Sequence, residues 1–234
     1  MSEFFLELFS EEIPSNLQDN SRIFLFQSFQ KLFKEKNISF KESNCYSTPN
    51  RLVILFKGLS KEITQEAKEV KGPNINSPEK AVEGFLRSNK INSKDLYKKK
   101  TEKGEFYFFK KLAQKIYTIH LLEEKIPIIL DTLQWKKSMK WGNYNLNWAR
   151  PLKSILAVFD NKNLNFNFYH LKASNTSFVD KEFEEKKRVF KNFKSYKNFF
   201  IKFGIIIDHN LRKKFIRKEL KKISKKKNFL VEFN

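Results

Sequence analysis

Glycine and cysteine are the scarce residues of this chain: six glycines and one cysteine, Cys45, in 234 residues. A lone cysteine makes no internal disulfide, which excludes a disulfide-stapled secreted domain and fits a reducing cytoplasm. So little glycine leaves no Walker-type phosphate loop and no G-x-G-x-x-G turn, so the residues themselves offer no nucleotide cradle. Long apolar runs are missing as well; none reaches the roughly 18 residues a membrane span needs. Glu3 and Glu7 stand where an export leader would be basic and then apolar. The three histidines, His120, His170 and His209, are far apart in sequence, with no Cys or carboxylate at metal-ligand spacing.

Negative charge is the other shortage. Lys and Arg number 47 against 26 Asp and Glu, a formal net charge of +21. Lysine, phenylalanine, asparagine and isoleucine have AT-rich codons, so part of this balance reflects base composition. Electrostatics nevertheless acts on charge of any origin, and a polyanionic partner is expected. The excess is uneven. Residues 181–234 hold 18 Lys or Arg against 6 Asp or Glu, net +12, and residues 1–180 hold 29 against 20, net +9. Two regions follow: an α+β domain over 1–180 and a basic, mainly helical segment over 181–234.

Local patterning predicts the elements. Residues 3–9 read as a strand, and Pro14-Ser15 opens a helix with Gln18 placed for a capping box. Leu25, Phe26, Phe29, Leu32 and Phe33 recur at helical spacing and form its apolar stripe. Residues 39–47 and 51–57 read as strands around a turn at Pro49-Asn50. Pro78 starts a helix through about Ser88, and Lys103-Gly104 marks a hairpin turn before the aromatic run Phe106 to Phe109. Residues 116–134 look helical, but Pro127 predicts a break or two short helices. Strands are expected at 153–160 and 164–170 around Asp160-Asn161. Helices are expected at 195–203 and 209–227, with a short strand at 205–207 between them. On the last helix Ile216, Leu220 and Ile223 make one apolar stripe among lysines and arginines; its charge is either a solvated face or a phosphate contact surface.

In a chain so poor in glycine, the survivors are informative. Gly72, Gly84, Gly104 and Gly142 are expected where φ is positive or where backbones approach closely.

Five short motifs run in order through the first two thirds: Leu6-Glu7-Leu8-Phe9-Ser10-Glu11-Glu12-Ile13-Pro14, Thr48-Pro49-Asn50-Arg51-Leu52, Lys71-Gly72-Pro73, Lys103-Gly104-Glu105, and Met139-Lys140-Trp141-Gly142 continuing to Trp148-Ala149-Arg150-Pro151-Leu152. Each alone is unspecific; together and in register they resemble the amino-terminal region of the beta subunit of bacterial tetrameric glycine–tRNA ligase. Ser10 stands in place of a Thr and Asn50 in place of an Arg. Asn175-Thr176-Ser177-Phe178 stands where the family carries Gly-His-Arg-Phe. The chain ends at Asn234, within what would be the middle of a family domain, so a fragment or one piece of a split gene is expected.

The resemblance implies a subunit that binds tRNA for glycine while a separate alpha subunit activates glycine, in an assembly of two alpha and two beta chains. It implies no cofactor on this chain, with ATP and Mg used through the alpha subunit, no membrane, and a cytoplasmic location. That agrees with the residues. Lys137-Ser138-Met139-Lys140 has the wrong order for a class I synthetase signature, and Glu11-Glu12 reads more simply as charge near a helix amino terminus than as a catalytic pair. Cys45 lacks a neighbouring base and reads as a small core residue. No catalytic, cofactor-binding or metal residue is therefore assigned.

For tRNA contact the candidates are Arg51, Arg87, Lys140, Arg150, Arg212 and Arg217. Arginine is scarce here, and its planar fork suits phosphate. The alternative for Arg51 and Arg150 is pairing with a carboxylate such as Glu7 or Glu12. Trp141, Tyr144 and Trp148 either stack on unpaired bases or pack in the core. A general RNA-binding module, or a degenerate fragment charged by codon bias alone, are the competing readings of the whole.

Overall fold

Strand β1 (Glu3–Ser10) is buried along almost its whole length, because it lies in the middle of a sheet covered on both faces. In chain order the elements are β1, α1 (Ser15–Glu35), β2 (Glu42–Thr48), β3 (Arg51–Lys57), β4 (Glu62–Gln65), β5 (Lys68–Asn74), α2 (Glu79–Asn89), β6 (Tyr97–Thr101), β7 (Gly104–Lys111), β8 (Gln114–Tyr117), α3 (Thr118–Asp131), β9 (Met139–Lys140), β10 (Asn147–Trp148), β11 (Leu152–Phe159), β12 (Lys162–Asn163), α4 (Phe193–Lys202) and α5 (His209–Lys227). This computed structural model describes residues 2–179 and 187–231, so the first residues of the expected basic segment, 181–186, lie outside the described residues. The fold class is α+β with a helical carboxy-terminal extension, as the sequence predicts.

The chain divides into two compact units, 1–61 with 118–234, and 62–117. The first is built on a five-stranded sheet of order β12-β11-β1-β3-β2, its β11-β1-β3-β2 ladders antiparallel. Alternation along β1 sends side chains to two faces. On one face Phe4 meets Phe29 and Phe33 of α1 and Phe56 of β3, with ring centroids 5.4, 6.4 and 6.4 Å away. On the other, Phe5, Val53, Leu55, Leu156 and Val158 pack with Phe190, Phe193, Tyr196, Phe199 and Phe200. Fully burying each large apolar side chain contributes about 1.5–3 kcal/mol. These two layers hold the unit together.

The predicted elements form with local corrections. The stripe of α1 is buried at Leu25, Phe29, Leu32 and Phe33, with Phe26 half-buried and stacked on Phe56 at 5.5 Å. Gln18 makes no capping box; its amide donates instead to the Ile13 carbonyl at 2.8 Å, because Pro14 at the cap has no N–H to offer in return. α3 runs unbroken through Pro127. The buried side chains Leu122, Ile126 and Leu130 hold it, while Pro127 itself is half-exposed. Asp160 and Asn161 both have positive φ, 50° and 63°, as a two-residue type I′ turn requires between β11 and β12. Of the strand expected at 164–170 only a two-residue strand at 167–168 forms, β12 lying just before that range. Residues 205–207 form no strand: Ile207 is buried against the α4 layer, and the segment connects two helices.

The second unit holds the paired β4 and β8, a three-stranded sheet of order β5-β7-β6, and α2. A Cβ on Gly72 would stand 2.8 Å from the Phe85 ring of α2, so only glycine permits this helix–strand approach. Gly104, at φ +116°, closes the β6–β7 hairpin. Gly84 meets neither expectation, with open space around it.

Candidate functional site

Three of the five motifs meet at one end of the large sheet, joined by main-chain hydrogen bonds. Ser10 N–H donates to the Asn50 carbonyl at 3.0 Å, Glu11 N–H to Pro151 at 3.1 Å, and Ile13 N–H to Pro49 at 2.7 Å. The prolines set the extended backbone at each join and cannot themselves donate. The result is an open groove of about 610 Å³ lined by Glu11, Glu12, Ile13, Gln18, Pro49 and Arg150, among others. Glu11 lies 3.6 Å from Lys153. Arg150 is exposed and makes no ion pair among the described residues, so its fork is open to solvent.

Below this end lies a buried polar knot. Glu7, fully buried at mid-strand, accepts from Arg51 Nε at 3.1 Å, from the Ser177 hydroxyl at 2.5 Å and from the Tyr196 phenol. Arg51 also donates to Asn50 Oδ1 at 2.7 Å and to the carbonyls of Phe178 and Val179 at 2.5 and 2.9 Å. Its guanidinium lies between the rings of Phe9 and Phe200, 4.5 and 4.7 Å from their centroids. Burial, followed by the nearby Glu7 charge, raises the Tyr196 phenol well above its usual range and keeps it a neutral donor. At 1% exposure Arg51 is a core residue, paired with Glu7, the carboxylate partner that the sequence offered as its alternative role. Ser177 and Phe178, in the segment that departs from the family pattern, complete the knot.

The other candidates are scattered. Arg87 is exposed on α2 of the second unit. Lys140 is exposed on β9, 3.4 Å from Asn145 Oδ1. Arg212 and Arg217 share α5 but differ in role. Arg212 is half-buried and donates to the carbonyls of Ile206 and Ser47 at 2.7 and 2.9 Å, anchoring the start of α5 to β2. Burial and then the Arg22 charge lower its pKa. Arg217 is exposed and, with Lys214, Lys218, Lys221, Lys222 and Lys225, lines one shallow basic face. No residue of α5 is buried, and Phe215, Ile216 and Ile223 are about half-exposed at 54, 49 and 49%.

The tryptophan-rich stretch splits between the two sequence alternatives. Trp148 is core, 1% exposed and 5.2 Å from the Trp135 ring. Trp141 is half-buried and donates to the Trp148 carbonyl at 2.9 Å. Tyr144 is 46% exposed and stacks on His170 at 4.5 Å. Sequence reading missed a polar pocket beside them, lined in part by Gln134, Trp135, Ser138, Asn145, Asn147 and Tyr169. The alternating asparagines of 143–147 were the available signal, hidden by the general abundance of Asn.

Among the described residues no group of three or more His, Cys, Asp or Glu is placed to hold a metal ion. No helix there is long and apolar enough to cross a membrane.

Comparison with known proteins places these features. Residues 4–234 match the family model for glycyl-tRNA synthetase beta subunit. The chain is 34% identical over 232 residues to the glycine–tRNA ligase beta subunit of Rickettsia typhi, covering 99% of this chain and 35% of that protein. The Rickettsia felis beta subunit is 32% identical over 234 residues, with the same two shares, and that of Rickettsia bellii 34% identical over 220, covering 94% and 33%. The chain thus spans about a third of the length of these relatives. Matched along nearly all its own residues by both the family model and these relatives, the chain belongs to the glycyl-tRNA synthetase beta subunit family.

Proposed function

We propose that this chain serves glycyl-tRNA formation in the cytoplasm as tRNA-holding beta-subunit material, with a separate alpha subunit activating glycine. The alpha subunit uses ATP and Mg for that step, in an assembly of two alpha and two beta chains. Family membership supports the role in tRNA charging. The observation that carries the tRNA contact is the basic face of α5. Six cations at helical spacing, from Lys214 to Lys225, line one side over three turns. A cluster of this kind displaces counterions from a phosphate backbone, and its contribution weakens with salt. Arg150, on the motif groove, is the second contact, acting locally.

The test titrates tRNA for glycine against the chain at rising salt. With about 4–6 phosphate contacts, log affinity falls with log salt at a slope of roughly −3 to −5. Replacing the six α5 cations by glutamine flattens that slope; an unchanged slope overturns the reading. Heparin competing as well as tRNA of equal charge would reassign the surface to general polyanion binding. The chain alone supports no glycine-dependent ATP–pyrophosphate exchange, and adding the alpha subunit restores it; exchange by the chain alone reverses the assignment of roles.

A further inference from the structure

The pocket beside the tryptophans has a chemistry that the basic helix lacks. Its volume is about 500 Å³, ample for one nucleoside. Gln134, Asn145 and Asn147 line it, each with a side-chain amide that carries donor and acceptor on one plane, as does Ser138 with its hydroxyl. The buried Leu133 and Leu146 supply apolar surface, and Trp135 supplies a ring. The buried Trp135 indole N–H has no hydrogen-bond partner among the described residues. Tyr169 lines the pocket in a positive-φ conformation, held by its phenol donating to Asp131 at 2.8 Å. Asp131 itself lines the pocket, and that bond engages one of its two carboxylate oxygens.

The surroundings select the ligand. Residues 132–159 carry five Lys or Arg and no Asp or Glu. Of these, Lys136, Lys137 and Lys140 are exposed; the first two lie between Trp135 and Ser138, and Lys140 stands two residues beyond. Planar amides beside an aromatic ring match the edge and face of a nucleobase, and cations outside match the phosphates on either side of it. A base inside a helix cannot enter; an unpaired one can.

We propose that this pocket takes one unpaired nucleotide of an RNA strand, its base edge read by Gln134, Asn145 and Asn147 and its flanking phosphates held by Lys136, Lys137 and Lys140. The proposal rests on the tRNA-holding reading for its biological ligand, but not for its chemistry. All three tryptophans of the chain lie at positions 135, 141 and 148, so intrinsic tryptophan emission reports on this region. Titrating the full chain with single-stranded RNA pentamers of each base quenches that emission saturably, with one base preferred. Asn147→Ala and Gln134→Ala, both at exposed positions, each weaken the pentamer by about tenfold. Both leave the unliganded spectrum and melting temperature unchanged, which separates lost binding from lost folding. Replacing Lys136 and Lys137 by glutamine lowers the salt slope by roughly 1–2.

AMP at equal concentration leaves the emission nearly unchanged; quenching by AMP as strong as by the pentamer assigns the pocket to a free nucleotide and overturns the strand reading. No quenching by any pentamer, or full affinity in Asn147→Ala, overturns the pocket itself. The α5 glutamine variant keeps pentamer quenching. Pentamer binding without tRNA binding therefore sinks only the α5 reading, and tRNA binding without pentamer quenching sinks only this one.

Discussion

Helices α4 and α5 are neighbours in one basic segment, yet one is core and the other is surface. α4 buries Phe193, Tyr196, Phe199 and Phe200 against the sheet, and Phe193 N–H is tied to the Glu3 carboxylate at 2.6 Å. α5 buries no residue and meets the unit through its first turn, where Arg212 reaches the carbonyls of Ile206 and Ser47. Both have side-chain caps, from Asn192 and Asp208, so local helix signals do not separate them. What separates them is that the second face of the sheet has room for one aromatic layer, and α4 fills it. Lysine-rich composition therefore does not distinguish a helix that completes a fold from one that projects charge.

Breaking the knot beneath α4 gives the largest effect. Glu7→Ala or Arg51→Ala leaves a buried charge unpaired and costs about 3–5 kcal/mol, read as a lower urea midpoint. A loss under about 1 kcal/mol would show that α4 does not depend on the pair. Arg212→Ala comes next, removing two hydrogen bonds from a half-buried guanidinium at about 1–2 kcal/mol. Hydrogen exchange in α5 should rise in that variant and stay unchanged in α4; equal loosening of both would merge the two helices into one unit.

A subtler probe of the α4 layer is pH. Tyr46 stacks on Phe193 at 5.4 Å, and burial, then the charge of Asp208, push its phenol up from 10.0 to about 12. The folded state holds this proton more tightly than the unfolded chain. Its contribution is therefore complete below pH 10 and lost between pH 10 and about 12. Tyr46→Phe keeps the stack and flattens stability across that window in alkaline melting curves; an identical slope would exclude Tyr46 as the source. The smallest effect on stability is expected from the six-glutamine α5 variant. It should change unfolding by under about 1 kcal/mol, since those cations are exposed. A collapse of stability there would mean that α5 is as integral as α4.

The elements most legible in sequence were those whose signals are local. The Asp160-Asn161 turn, the hairpin before Gly104 and the turn at Pro49-Asn50 follow from residues that tolerate or impose particular φ values, with no help from distant chain. The α1 stripe is legible because one helical period places Leu25, Phe29 and Leu32 on a single face. Pro127 misled because the missing N–H is a local cost, whereas the buried contacts of Leu122, Ile126 and Leu130 that outweigh it are not local. The strand expected at 205–207 failed for a related reason: three isoleucines suit a strand, but here Ile207 fills the α4 layer instead.

Family membership, fold class and the basic excess of the last residues were set by sequence alone, through motif order, periodicity and composition. Sequence left Arg51 with two roles. Tertiary structure buried it, with its guanidinium between Phe9 and Phe200 and Glu7 at 3.1 Å. It likewise turned Arg212 inward and Arg217 outward on one helix, and set Gln134, Asn147 and Tyr169 around one pocket across 35 residues of chain. Burial and juxtaposition depend on which surfaces the fold brings together, and no local pattern of residues encodes that.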